Sequence, residues 1–160
     1  LYDARTHVTK SIIIFKMATT ATITLTSADI AGDPVNVSKT ATCTKAGSTT
    51  DLDQTTGLNR VHLRSTTNKV LLAANAEGDN LAAKVYIINK ATDSTLYVTV
   101  TINAQTVGKL YAGDWMFIPW SQTDTSASIE VAATNHTAST GDVPIEYALF
   151  HEDTDFLTNA

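Results

Sequence analysis

From residue 20 the chain alternates. Thr20-Ala21-Thr22-Ile23-Thr24-Leu25-Thr26 puts Ala21, Ile23 and Leu25 on one side of an extended backbone and threonines on the other, the pattern of a half-buried β-strand. The same reading predicts strands near Val35–Thr44, Asn59–Arg64, Val70–Ala74, Lys84–Asn89, Leu96–Asn103, Thr106–Tyr111, Trp115–Pro119, Ser128–Ala132 and Ile145–His151. Turn-forming clusters separate them, among them Gly32-Asp33-Pro34, Asn103-Ala104-Gln105, Ala112-Gly113-Asp114 and Thr140-Gly141-Asp142. About ten short strands at this spacing predict an all-β fold, an antiparallel β-sandwich with a jelly-roll-like arrangement. One short helix, Asn75–Ala83, is the expected exception.

Two segments depart from alternation. Val85-Tyr86-Ile87-Ile88 and Trp115-Met116-Phe117-Ile118 carry no polar position, so both faces of each strand are expected to be covered, by the core or by a neighbouring subunit. Pro119 has no N–H for a ladder, which places the second segment at a sheet edge or ends it there.

Composition sharpens this picture in two places. The 160 residues include 28 Thr against 7 Gly and 3 Pro, a balance that suits pleated strands and disfavours long helices. The net charge of −5 is unevenly spread, since residues 1–16 carry three basic residues and one acidic (+2), leaving −7 for residues 17–160. The chain therefore divides into an N-terminal arm, 1–16, and a single β-sandwich domain, 17–160, with a short acidic tail. Within the arm, Ile12, Ile13, Ile14 and Phe15 form a β-branched, uncharged run flanked by Lys10 and Lys16. Such a run needs a cover, and it is expected to add to a sheet edge, of a neighbouring subunit or partner rather than of its own domain.

The candidate chemistries are sparse. His7, His62, His136 and His151 show no metal-ligand spacing, and Cys43, alone in the chain, sits in a strand pattern as a small core residue. Asp51/Asp53, Glu77/Asp79 and Glu152/Asp153/Asp155 read as solvated turns and tail rather than calcium loops or catalytic carboxylate pairs. Arg60, His62 and Arg64 share one face of a strand, a small positive stripe that reads as a solvated face or, alternatively, as a salt-bridged contact with an acidic protein surface, and is too small for a polyanion. No cofactor, nucleic acid or membrane is expected, and no export signal is read. Apolar runs are only a few residues long, against the roughly 20 needed to cross a bilayer as a helix.

Four segments together resemble a known class: Lys84–Lys90, Thr95–Val100, Val107–Trp120 and Pro144–Phe150. A strand ending in Asn, a following strand, a Gly-Asp turn feeding an aromatic strand closed by Pro, and a last strand carrying Glu-Tyr are similar to small β-rich structural proteins of tailed-bacteriophage virions, most of all head decoration (cement) proteins. The resemblance covers roughly residues 83–150. It implies a non-enzymatic protein, made in the host cytoplasm, that binds the major capsid protein on the outer capsid surface and stabilises the assembled shell, as a homo-oligomer with a trimer favoured. A tail or head-tail connector component and a carbohydrate-binding module using Tyr111, Trp115 or Trp120 as a stacking platform are the alternatives. The expected contact residues are Ile12, Ile13, Ile14, Phe15, Arg60, Arg64, Trp115, Phe117 and Trp120.

Overall fold

The computed structural model describes residues 20–28, 35–42, 52, 54–64, 66, 68–73, 82–102, 104–121, 129–134 and 142–151. The arm and the acidic tail expected from the sequence lie outside them, as do Cys43, residues 75–81 and the acidic groups at 51/53, 77/79 and 152–155. All described regular structure is β. The strands are β1 (Thr20–Ser27), β2 (Val35–Thr42), β3 (Gln54–Thr55), β4 (Asn59–Leu63), β5 (Lys69–Leu72), β6 (Ala82–Asn89), β7 (Tyr97–Ile102), β8 (Gln105–Tyr111), β9 (Trp115–Ser121), β10 (Ile129–Thr134) and β11 (Val143–His151). The expected helix is corrected at its C-terminal end, where Ala82 and Ala83 belong to β6, paired with Ser121 and Trp120.

Two sheets make the body. One runs β5-β10-β7-β8; the other runs β11-β6-β9, with β4 and the short β3 paired end to end along the free side of β11. All pairs are antiparallel. The eight strands β4–β11 thus stand in the order β4-β11-β6-β9 against β5-β10-β7-β8, which is a jelly roll of two interlocked Greek keys.

Side-chain parity explains the core. In β6, Val85 and Ile87 point inward beside Leu149 and Tyr147 of β11, and across the gap they meet Val98 and Val100 of β7 and Leu110 of β8. Leu63, Leu72, Ala83, Val143, Ile145 and Trp120 complete the cluster. The alternate residues Tyr86, Ile88 and Phe117 are half-buried and Trp115 is exposed, so the core covers one face of these two strands and leaves the other partly open, the face for which a neighbouring subunit was the expected alternative cover. The outer face of this sheet is partly open because no second sheet of the sandwich lies on that side. β9 is an edge strand, as Pro119 demands, although pairing continues through Pro119 to Ser121.

The alternating segment at residues 20–26 does not join the sandwich. β1 and β2 form a separate two-stranded sheet that sets Thr22, Thr24 and Thr26 opposite Thr40, Ser38 and Asn36 on one face, with a 2.7 Å hydrogen bond between the Thr22 and Thr40 hydroxyls. Its apolar face, with Ile23, Leu25 and Val37, stays largely exposed.

One polar side chain is fully buried at the end of the sandwich. Asn89 donates from Nδ2 to the carbonyls of Leu110 (3.0 Å) and Leu96 (3.3 Å), and its Oδ1 accepts the Ala91 N–H (2.9 Å). Its backbone N–H donates to the Asp114 carbonyl (3.0 Å) and its carbonyl accepts from Gly113 (2.9 Å). The Tyr111–Asp114 turn beneath it closes with an Asp114 N–H to Tyr111 carbonyl bond of 2.9 Å and needs φ +87° at Gly113, a conformation that glycine adopts without steric cost.

Asn89→Ala removes the side-chain partner of two carbonyls and one N–H at a buried to part-buried site. It is expected to cost about 3–4 kcal/mol, at about 1–3 kcal/mol per orphaned group with partial relaxation, read as a lower urea midpoint in equilibrium unfolding. The β7–β8 hairpin yields the opposite sign. Ala104 sits at φ 60° in its loop. Ala104→Gly removes about 1–2 kcal/mol of left-handed strain against about 0.5–1 kcal/mol of added unfolded-state freedom, so thermal denaturation should show a small rise in Tm.

Candidate functional site

The outer face of the β4-β11-β6-β9 sheet carries two distinct surfaces, set by register. Toward β4 it is charged. Arg60 lies opposite Glu146 and His62 opposite Pro144, so the basic side chains of β4 stand over the acidic end of β11. The Arg60 Nε donates to Glu146 Oε1 at 3.0 Å and its Nη2 reaches the same oxygen. His62 Nδ1 is 2.9 Å from Asp142 Oδ2, which also accepts from Arg64 Nη2 at 3.5 Å. The stripe thus pairs with carboxylates of its own domain, 78 to 86 positions away in sequence, while the Arg60 and Arg64 side chains stay 62% and 77% exposed.

The carboxylates register this. The hydrogen bond from Arg60 holds the Glu146 carboxyl below its ordinary value, with the charges of Arg60 and Lys90 adding to it and outweighing burial. At Asp142, burial pushes the carboxyl up, yet the hydrogen bonds and charges of His62 and Arg64 together bring it below its ordinary value. Asp93, bound by the backbone N–H (2.9 Å) and hydroxyl (2.7 Å) of Thr95, is lowered by those hydrogen bonds.

Toward β9 the same face is aromatic, with one basic side chain, Lys84 of β6, at its Phe150–Pro119 end. Tyr86 pairs with Phe117 and Ile88 with Trp115, so these four point outward together, and Phe150 of β11 reaches the same surface two pairs along from Ala148. The Phe117 and Phe150 rings meet edge to face, centroids 6.1 Å apart. Residues 20–23 of β1 lie above them and enclose a cleft of about 190 Å³ lined by Tyr86, Trp115, Phe117, Phe150 and that stretch of β1, with no charged or amide side chain in its walls. Trp115 is half exposed at 50%.

Of the expected contact residues, Trp115 and Phe117 share this cleft, whereas Trp120 does not. It points into the core, 5% exposed, with no partner for its indole N–H among the described residues. Five positions separate the two tryptophans, an odd number, and in an extended strand that places them on opposite faces. Tyr111 belongs to the other sheet, its ring 5.1 Å from that of Tyr97 and with Lys109 Nζ 4.6 Å over the Tyr97 ring, so Tyr111, Trp115 and Trp120 make no common stacking platform. Ile12, Ile13, Ile14 and Phe15 lie outside the described residues. Tyr86 and Phe150 were not anticipated. The parity of β6 could have exposed Tyr86, but the convergence with Phe150 depends on long-range pairing.

Among the described residues no cluster of three His, Cys, Asp or Glu side chains could hold a metal ion, and no helix is long and apolar enough to cross a membrane. A second cleft of about 200 Å³ beside His62 and Asp142 is lined by Lys90, Asp93 and Leu96 among others.

Because Asp93, Asp142 and Glu146 have folded-state pKa values below the ordinary 3.8, 3.8 and 4.5, the stability they contribute is present above those values. It is lost as pH falls through the lower folded values. Urea midpoints are expected to hold steady from neutral pH to about pH 5 and to drop below about pH 4. Arg60→Ala should shallow that drop. No family model matches the chain, and no curated protein shows significant similarity to it, so the aromatic cleft and the jelly roll that presents it are the grounds for a functional reading.

Proposed function

We propose that the protein is a non-enzymatic structural component of a virion, bound to the outer surface of the capsid and stabilising the assembled shell, with the Trp115–Phe117 face of β9 as its contact surface. The observation that carries this reading is the uncharged aromatic cleft on an open sheet face beside an edge strand. Apolar, charge-depleted surface with aromatic anchors is the composition of the buried centre of protein–protein interfaces. The jelly roll agrees with it, being a frequent architecture of viral coat proteins, although the same fold also serves lectins. The cleft's lack of acid and amide side chains favours an apolar protein contact over a sugar, whose hydroxyls need such partners.

The mechanism is linkage. A protein that binds the assembled lattice and not its free subunits adds its binding free energy to the assembled state, about 2.7 kcal/mol per site at a hundredfold excess over Kd. A trimer would match three-fold positions of an icosahedral shell. A tail or head-tail connector role would use the same domain in rings.

Copy number per particle, measured by quantitative mass spectrometry of purified virions, tests the reading. Hundreds of copies support decoration, six or twelve move the protein to a connector or tail, and absence from particles ends the proposal. The tryptophans divide the remaining question. Trp115→Ala should keep the fold and weaken particle binding by about 2 kcal/mol or more. Trp120→Ala should instead destabilise the domain by about 3–5 kcal/mol through the cavity it leaves, seen as a lowered Tm of the isolated protein.

A further inference from the structure

The aromatic cleft has an occupant within reach. β1 begins at Thr20, which itself lines the cleft, and nineteen residues precede it. Five positions separate Thr20 from Phe15, a span of at most about 18 Å when extended, so residues 11–15 can return across Tyr86, Trp115 and Phe117. The chemistry matches as well. Ser11-Ile12-Ile13-Ile14-Phe15 is uncharged between Lys10 and Lys16, and the cleft walls carry no charge. In an extended segment alternate side chains face one way, so one or two of these apolar side chains suit a cleft of about 190 Å³ while the two lysines remain in water. The outer side of β9, unpaired among the described residues, offers backbone donors and acceptors next to the cleft.

We propose that the segment Ser11–Phe15 of the same chain docks in the Tyr86–Trp115–Phe117–Phe150 cleft. A tether this short gives an effective concentration in the millimolar range, which places the chain's own segment ahead of a second copy at micromolar concentration. This differs from the expectation that the arm reaches a neighbour first. It stands whether or not the protein belongs to a virion, and it makes the arm a competitor of any partner that uses Trp115 and Phe117.

The test uses the isolated full-length chain. Trp120 is buried, so acrylamide quenching of tryptophan fluorescence reports mainly on Trp115. With Ile13→Asp and Ile14→Asp combined, quenching should rise by about twofold or more as the arm leaves, with the circular dichroism spectrum unchanged. Unchanged quenching in that folded variant overturns the proposal. Wild-type quenching should be the same from about 1 to about 100 μM if docking is intramolecular, and a concentration dependence would give the cleft to a second copy instead. Should the double variant fail to fold, replacement of Phe15 by photoreactive p-benzoylphenylalanine decides. Cross-linking within a monomer to the peptide that contains Trp115 and Phe117 supports the docking, and cross-linking elsewhere or between chains overturns it.

Discussion

The buried amide of Asn89 is the constraint on which the arrangement of this end of the sandwich depends. In a jelly roll most successive strands switch sheets, and each switch lifts backbone groups off their ladder at the sandwich end, where an unpaired donor or acceptor is costly. Asn89 meets that cost at two switches together. Its side chain ties the β6–β7 connection, through Ala91 and Leu96, to the end of β8, and its backbone holds the Gly113–Asp114 turn that starts β9. A hydrophobic residue of similar size would give up all three of these bonds, which run from one side chain to the backbone of two connections.

The consequence reaches the candidate site. With Asn89 facing inward opposite Ile145, parity sends Ile88 and Tyr86 outward; with the β8–β9 turn fixed beneath it, Trp115 pairs with Ile88 and Phe117 with Tyr86. A slip of one residue at either strand would carry Trp115 into the core and Trp120 to the surface. The aromatic surface is thus a by-product of a polar anchor at the other side of the sheet. Its isolation from charge has a second cause, since the basic residues of β4 are held by Glu146 and Asp142 at the opposite end of the same face. Paired there, they leave Lys84 as the one charged side chain that β6 and β9 place on this face among the described residues.

The β1–β2 hairpin obeys different physics. Its threonine face is tied by hydroxyl contacts between Thr22 and Thr40 and, at 3.5 Å, between Thr24 and Ser38, while Leu25 on the other face is 55% exposed. Two-stranded ribbons in water are marginal on their own, so its position over the aromatic cleft matters to its own stability as much as to the cleft's shape.

Much of this architecture could be read along the chain. Alternation located nearly every strand to within two or three residues, because side-chain period and burial are local consequences of a pleated backbone, and the turn at Ala112–Asp114 was marked by the glycine its φ requires. Odd spacing even separates Trp115 from Trp120, a signal that the absence of polar residues in 115–118 obscured. What alternation could not supply was which strands are neighbours. Which carboxylates the stripe Arg60–Arg64 meets within its own domain, whether residues 20–26 enter the sandwich or stand outside it, and whether Tyr86 and Phe150 join Trp115 are all decided by pairings between strands as many as 86 positions apart. Sequence fixes the parity of each strand; only the closed sandwich fixes which parities meet, because that choice minimises buried unpaired groups over the whole chain at once.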